Sequence, residues 1–550
     1  MNPRLVAYSR QLHCYLVPSH LNQHLLLQSY NSPVHLIRDF ARIYMSGAKR
    51  ANELSSFPRL LDNRQPRKKK KTANTQRSEG SIDDVRLHDI QWLLQESRPN
   101  NFEPPLEVEP LPPLLTQIEL SITMLSSTGD GLAVSEDLLR VYVVPFSVPG
   151  DKVLAKVVKH FPSHSTTDLL EVKVPSKDRQ DDLVFCKYFG KCSGCQFQML
   201  SDDYQRNHKH KVIEKAMANF SNLDPSLIPP IGEIMPSPIS QGYRTKLTPH
   251  FDGPRRGGFK PDAPTPDIGF QMTGRHFVLD IEDCPIGTEI VRTGLKSQRK
   301  YVRDNLQTFK RGATLLLRES TERNISSIDP NASLPPYKEL KTCVTNSKDF
   351  VTEWVGAFKF TYPAGAFFQN NNSILLNFTN FVREQLYVPP TSDHRGESTD
   401  AYLIDAYCGS GLFSICCGHK FKSVMGIDIS SQSIESARKN AEENGIYNAK
   451  FITGNAEALF ADVDFPPDKT SVVIDPPRKG CDELFLDQLL KLAPRRIVYI
   501  SCNVHTMARD VGWILQHATG NNYMIEKLGG FDFFPQTHHV EGYAVLSKST

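Results

Sequence analysis

From residue 401 onward, short uninterrupted apolar runs alternate with longer segments whose apolar residues recur every three or four positions. The runs at 402–406, 423–429, 450–453, 471–474 and 496–500 read as strands, and the segments 431–444, 482–492 and 504–515 as helices. That alternation predicts an α/β fold, a parallel sheet with helices on both faces. Residues 116–174 follow a different rhythm. Runs at 118–124, 139–146 and 153–159 are separated by Thr128-Gly129-Asp130-Gly131 and Val148-Pro149-Gly150-Asp151, a spacing that suits a small OB-type β-barrel. Residues 181–295 mix short strands with many Pro and Gly, and 296–360 carry little pattern.

These changes of pattern divide the chain into an extension and linker at 1–111, a barrel at 112–178, a small mixed α+β region at 179–360 and the α/β domain at 361–550. No apolar run approaches the length of a bilayer span. Charge sharpens the picture of the extension. Residues 1–80 hold 14 Lys/Arg against 4 Asp/Glu, so residues 81–550 carry −7 of the overall +3. Any RNA surface in the folded part must therefore rest on local patches. An Arg-rich, acid-poor start with an amphipathic stretch at 34–45 reads as a mitochondrial presequence, and 1–111 is expected to be largely disordered. The run Arg67-Lys68-Lys69-Lys70-Lys71 is solvated and offers a nuclear address, an RNA tether or a plain linker instead. Localisation thus reads as mitochondrial, with nuclear, cytoplasmic or dual placement as the alternative.

Four motifs carry chemistry. Asp405-Ala406-Tyr407-Cys408-Gly409-Ser410-Gly411 follows an apolar strand, and Asp428 ends the next one. A glycine turn followed about 20 residues later by an acid suits a cofactor bearing adenosine. The third glycine of the dinucleotide fingerprint is replaced by Ser414, which favours S-adenosylmethionine because it has no pyrophosphate to cradle. Asp475-Pro476-Pro477-Arg478-Lys479-Gly480 follows another strand, with the prolines holding Asp475 extended at its end. Cys502, in Ser501-Cys502-Asn503, lies where a strand gives way to a helix whose N-terminus is expected to lower its pKa. Pro535-Gln536-Thr537-His538-His539-Val540-Glu541 supplies acid–base candidates. Outside this domain, three of the 11 cysteines gather at Cys186, Cys192 and Cys195, which suggests metal or cluster ligation in a reducing compartment.

Together these segments resemble the RNA uracil-C5 methyltransferase family, and over 355–550 the resemblance is specific. It implies a Rossmann-like S-adenosylmethionine-dependent methyltransferase domain, with cofactor contacts at Gln369 (in Ala366-Phe367-Phe368-Gln369-Asn370-Asn371), Tyr407, Asp428 and Asp475. It implies Cys502 as the nucleophile, and Glu541 as the proton acceptor with His539 orienting it. Residues 116–174 resemble the family's TRAM domain, an RNA-binding module. Cys186, Cys192, Cys195 and Cys284 match the four-cysteine pattern that holds a 4Fe–4S cluster in one bacterial branch, although zinc would suit the same ligands.

The chemistry agrees with the resemblance. C5 of uracil is too weak a nucleophile to take a methyl group unaided. Addition of a thiolate to C6 makes it an enolate carbon, and a base must later remove the C5 proton. Arg244, Lys246, Arg478 and Lys479 are candidates for holding phosphate or the flipped nucleotide. The substrate implied is RNA, with the T-loop uridine of tRNA first and ribosomal RNA second. A cytosine methyltransferase would carry a second catalytic Cys in a Pro-Cys loop, whereas the corresponding stretch here, Asp475-Pro476-Pro477-Arg478, has no Cys. A non-catalytic tRNA-folding or RNA-binding factor would have no use for the pairing of Cys502 with Glu541.

Overall fold

The computed structural model describes residues 78–548 apart from 104–109, 255–256, 326–336, 388–399, 455–459, 461–462, 519 and 521. The presequence, the stretch at 34–45 and the basic run at 67–71 lie outside the described residues, as does part of the expected linker. No helix among the described residues is long and apolar enough to cross a membrane.

The expectation of a largely disordered 1–111 is corrected towards its end, where Ile82–Ser97 form helix α1. Ser81 caps it by accepting the Asp84 N–H, and Asp83 and Asp84 sit favourably in its first turn. Ile90, Leu93 and Leu94 pack on Leu132, Val141 and Val143. Buried Asp89 accepts hydrogen bonds from the Ser127 backbone and hydroxyl and from Lys215. Those partners are remote in sequence, which is why composition alone missed the helix.

Helix α1 rests on β1 (Gln117–Ser121), β2 (Met124–Leu125), β3 (Gly131–Val134), β4 (Val141–Val144), β5 (Lys152–His160) and β6 (His164–Val174). They form one sheet of order β1-β5-β6-β4-β3-β2. Its two edges are successive halves of one segment broken only at Ile122–Thr123, so the sheet must curl back on itself. Val153, Ala155 and Val157 alternate inward along β5 to fill it.

Next come α2 (Asp202–Phe220) and β7 (Ile231–Met235). Small sheets follow, built from β8 (Lys246–Leu247), β9 (His250–Phe251), β10 (Gly269–Gln271), β11 (Val278–Asp280), β12 (Ala313–Thr314), β13 (Leu317–Ile325) and β14 (Tyr337–Val344), with α3 (Glu289–Asp304) among them. The polar β14, largely exposed, explains why 296–360 showed no pattern. A hairpin of β15 (Phe350–Val355) and β16 (Phe358–Pro363) leads to α4 (Leu375–Leu386).

The remainder is β17 (Tyr402–Ala406), α5 (Leu412–Gly418), β18 (Ser423–Asp428), α6 (Ser431–Glu443), β19 (Ala449–Thr453), β20 (Thr470–Ile474), α7 (Glu483–Leu492), β21 (Arg496–Ser501), α8 (Val504–His517), β22 (Tyr523–Phe531) and β23 (Glu541–Lys548). Every strand and helix expected here forms within about two residues. The sheet has eight strands in the order β19-β18-β17-β20-β21-β23-β22-β7. Strands β17–β21 are mutually parallel, and β23 runs antiparallel between β21 and β22. Both faces are covered, so neighbouring strand residues point to opposite cores. Ile404, Val472 and Ile497 join the core under α2, α7 and α8. Leu403, Val473 and Val498 join the one under α4, α5 and α6.

The expected boundary at 360/361 is also corrected. Strand β7 pairs with β22, and α2 sends Val212, Ile213, Ala216, Met217 and Phe220 into the core beneath α8. The β15–β16 hairpin belongs to the opposite core through Val351, Val355, Phe360 and Tyr362. The α/β domain therefore recruits parts of the central region, because a buried sheet edge and two helix faces need covering.

Candidate active site

Register brings the motifs together. Ala406 pairs with Ile427 on one side and with Ile474 on the other. The next residues out, Tyr407, Asp428 and Asp475, therefore stand abreast at the carboxyl ends of three adjacent parallel strands, where open α/β sheets bind ligands. Ser501 pairs with Gly542, so Cys502 and Glu541 emerge opposite each other from the same edge. The antiparallel turn of β23 thus returns a residue 39 positions later in the chain to the Cys502 position.

On the cofactor side, Asp428 accepts the Gly409 N–H (3.0 Å) and the Ser430 N–H (2.8 Å), fixing both loops. Gly411 has φ +92°, and a Cβ there would meet Ile415 and Ala437, so glycine is required at this turn. Tyr407 has φ +66°, a conformation that costs roughly 1–2 kcal/mol for a side-chain-bearing residue, with its ring 5.1 Å from Phe485. Strain of this kind persists where the surroundings over-determine it. Space beside Gly409 is open, leaving room for a ligand against Asp428 and the Tyr407 ring.

The segment carrying buried Gln369 is held from outside the sheet. Arg318, wholly buried, donates to the Ala366 and Phe368 carbonyls and to the Tyr362 hydroxyl, and pairs with Glu353. Thr245 N–H donates to the Asn370 carbonyl, and Asn371 Nδ2 to the Phe533 carbonyl beside the end of β22. The Asn370 side-chain oxygen is buried without a partner, an acceptor left available in this loop.

Around Cys502 the electrostatics differ from expectation. Its thiol is pushed up to about 12 by burial and by the Glu541 and Asp475 carboxylates, and only the neighbouring Arg478 guanidinium pulls the other way. Desolvation and two neighbouring acids outweigh the helix terminus that was expected to lower it. Burial and neighbouring Asp475 hold the Glu541 carboxyl well above its usual range, again opposed by Arg478. Half-buried Asp475 is raised to about 7 by burial and by Asp405. His539 is held neutral, lowered to about 3 by burial and by Arg478, Lys209 and Arg244. Its ring packs against His538 and Phe534, and no hydrogen bond joins it to Glu541 among the described residues. An orienting role for His539 through such a bond is therefore not formed in this structure.

Cys502 lines a cleft of about 500 Å³ with Arg478, Lys479, Arg509, His538 and His539. One wall is made by Ser78, Glu79, Gly80, Ser81 and Ile82, with Asn503 Nδ2 donating to the Gly80 carbonyl (3.2 Å) and to that of Arg478 (2.9 Å). Sequence reasoning missed this wall because nothing in Ser78–Ile82 marks it as functional. It also assigned no role to Asp405, the first residue of the glycine-turn motif, buried among apolar strand residues and raised to about 7.

Arg478 and His539 also face a second cavity, of about 290 Å³, lined by Cys186, Cys192, Cys195, Cys284, Arg244 and Phe534. The four thiols are unpaired by disulfides and half-buried. Burial pushes Cys195 and Cys284 up to about 12. Among the described residues, no three His, Cys, Asp or Glu side chains are disposed to hold one metal ion. Lys246 is lowered to about 8 by burial and by Arg318 and Arg244.

Known proteins resemble this chain over most of its length. A family model described as tRNA (Uracil-5-)-methyltransferase matches residues 341–549. A tRNA (uracil(54)-C(5))-methyltransferase of Schizosaccharomyces pombe is 44% identical over 502 residues, spanning 91% of this chain and 90% of its own. The enzyme of the same name from Saccharomyces cerevisiae is 41% identical over 471 residues, 78% of this chain and 73% of its own. The crystal structure of Pyrococcus abyssi tRNA (uracil-54, C5)-methyltransferase in complex with S-adenosyl-L-homocysteine superposes with a TM-score of 0.55 at 23% identity. It covers 78% of this chain and 100% of the archaeal one, and it supports the fold.

Proposed function

Since the chain belongs to the tRNA (uracil-5-)-methyltransferase family, we propose that it methylates C5 of uridine 54 in tRNA with S-adenosylmethionine. The observation that carries the reading is the convergence of Cys502, Glu541, Asp475 and Arg478 at one sheet edge. When bound, S-adenosylmethionine supplies an electrophilic methyl group. Gln369, Tyr407, Asp428 and Asp475 are the residues proposed to hold it, and the open space at Gly409 beside Asp428 supports that fit.

The remaining chemistry is assigned to the chain. Cys502 sulfur, as thiolate, bonds to C6 of uracil while the C5–C6 π pair moves onto C5 and the O4 carbonyl. C5 takes the methyl group. Glu541 then removes the C5 proton, the double bond re-forms and the C6–S bond breaks, returning the thiolate. A carboxylate whose proton affinity is raised by burial is a stronger base than a solvated one. Arg478, touching Cys502 and acting on Glu541, stabilises the anionic forms of both. The uridine must leave its stack to enter the cleft, and a loop makes that cheapest.

RNA containing 5-fluorouridine tests this reading, because fluorine cannot leave C5 as a cation and the adduct stays attached. The wild type should form a covalent complex and the Cys502→Ala variant none. Absence of any adduct and of 5-methyluridine product with tRNA refutes the assignment.

We also propose that Cys186, Cys192, Cys195 and Cys284 hold a 4Fe–4S cluster. The support is that the four thiols line one cavity and that four cysteines are the ligand set such a cluster takes. The curled sheet β1–β6 is proposed to be the TRAM module that grips RNA. For residues 1–50, the Arg-rich, acid-poor composition supports a mitochondrial address. A reporter fused to that segment and excluded from mitochondria would overturn it.

A further inference from the structure

Asp510 sits in α8 with 1% of its surface exposed and is not one of the strand-end residues to which substrate and cofactor are assigned. Its Oδ2 accepts the Tyr499 hydroxyl (2.6 Å) and the Cys481 N–H (2.7 Å). Its Oδ1 accepts Arg509 Nε (2.8 Å) and Nη2 (2.6 Å). Arg509 Nη2 in turn donates to the carbonyls of Lys479 (3.0 Å) and Cys481 (3.2 Å). One buried carboxylate therefore ties β21, α8 and the far end of the Asp475–Cys481 loop together.

The loop is drawn in tightly. Gly480 has φ +77°, and a Cβ there would lie 2.5 Å from Arg509 Nη2 and 2.6 Å from Asp510 Oδ2. The near end of the loop is pinned at the Arg478 carbonyl, which accepts from Asn503 Nδ2 (2.9 Å) and Thr506 Oγ1 (3.3 Å). With both ends of Arg478–Cys481 fastened to α8, the exposed Arg478 side chain has a fixed root from which to reach Cys502. A free loop would let this long cation drift into solvent, and its influence on the thiol would fall with distance and screening.

We infer that Asp510 is a positioning residue for the methyl-transfer reaction: by clamping Arg478–Cys481 to α8 it holds the Arg478 guanidinium against the Cys502–Glu541 pair. The assignment rests on Cys502 being the nucleophile proposed above. The charged groups facing Cys502 are Asp475 and Arg478 from the loop and Glu541 from β23. Those facing Asp510 are Arg509 on its own helix, Tyr499 on β21 and Cys481 at the loop end. Of the groups around Cys502, Arg478 alone favours the thiolate, so loosening the loop must raise the pH that thiolate formation requires.

The test is the rate and pH profile of adduct formation with 5-fluorouridine-containing tRNA for Asp510→Asn and Arg509→Lys, beside the affinity for S-adenosylhomocysteine. Both variants should slow adduct formation by about tenfold or more, the scale of a modest misplacement of a catalytic group. They should also move the rising limb of the profile to higher pH, with S-adenosylhomocysteine affinity unchanged. Adduct rates and profiles equal to wild type overturn the inference, whatever happens to stability. Arg509→Lys keeps the charge at a partly exposed position and decides the matter should Asp510→Asn not fold. A wild type that forms no adduct refutes the nucleophile itself, a different outcome.

Discussion

Replacing Lys209 by methionine isolates the cost of one buried ion. Lys209 is wholly buried and meets Asp532, itself only 6% exposed, at 2.5 Å, and it donates as well to the Phe534 carbonyl (3.0 Å). The ammonium is held below its usual pKa because desolvation outweighs the pull of Asp532. The intact pair is therefore a marginal contributor to stability, while half a pair is expensive. Lys209→Met leaves the Asp532 carboxylate buried without its counter-ion, and removal of one partner of such a pair costs about 3–5 kcal/mol. Replacing both partners by apolar residues of similar volume, Lys209→Met with Asp532→Leu, should recover most of that loss. Urea unfolding of wild type, single and double variants, followed by tryptophan fluorescence, measures it. A single variant within about 1 kcal/mol of wild type, or a double variant no more stable than the single, contradicts the accounting from burial and desolvation. The pair joins α2 to the segment 532–537, one end of the stretch that leads to Glu541, so the single variant should lose activity as well.

Three further outcomes are expected. Glu541→Gln removes the proposed proton acceptor but not the nucleophile, so a covalent protein–RNA species should accumulate on unmodified tRNA while turnover falls by roughly 10²–10⁴; normal turnover with no such species removes Glu541 from the mechanism. Asp405 is raised to about 7 by burial although Ser414 hydrogen-bonds it. A carboxyl with a raised folded pKa contributes stability that is complete below the unfolded value near 4 and is lost as pH rises through about 7, so Asp405→Asn should flatten the decline of melting temperature between those limits. If the decline is unchanged, Asp405 is not its source. Cys284→Ser should lower the iron content of anaerobically purified protein, and equal iron in variant and wild type would refute cluster ligation.

The α/β half was legible because its strands are buried on both faces, which leaves uninterrupted apolar runs, and its helices on one, which leaves a period of three to four residues. The chemistry was legible for a related reason: Asp428 ends an apolar strand, Asp475 and Cys502 directly follow one, and parallel strands deliver their carboxyl ends to one edge. What composition could not mark was structure held by partners far away in the chain. Helix α1 is stabilised by Ser127 and Lys215, β7 by the backbone of β22, and neither partnership has a local signature. Electrostatics were hidden likewise. The sequence places a helix terminus beside Cys502, whereas folding adds two carboxylates and removes water, which reverses the sign of the shift. The sequence by itself thus determined which groups stand at the sheet edge. Only the tertiary structure decided their protonation and the wall that Ser78–Ile82 raises beside them, because burial and charge act through space between segments that the chain keeps far apart.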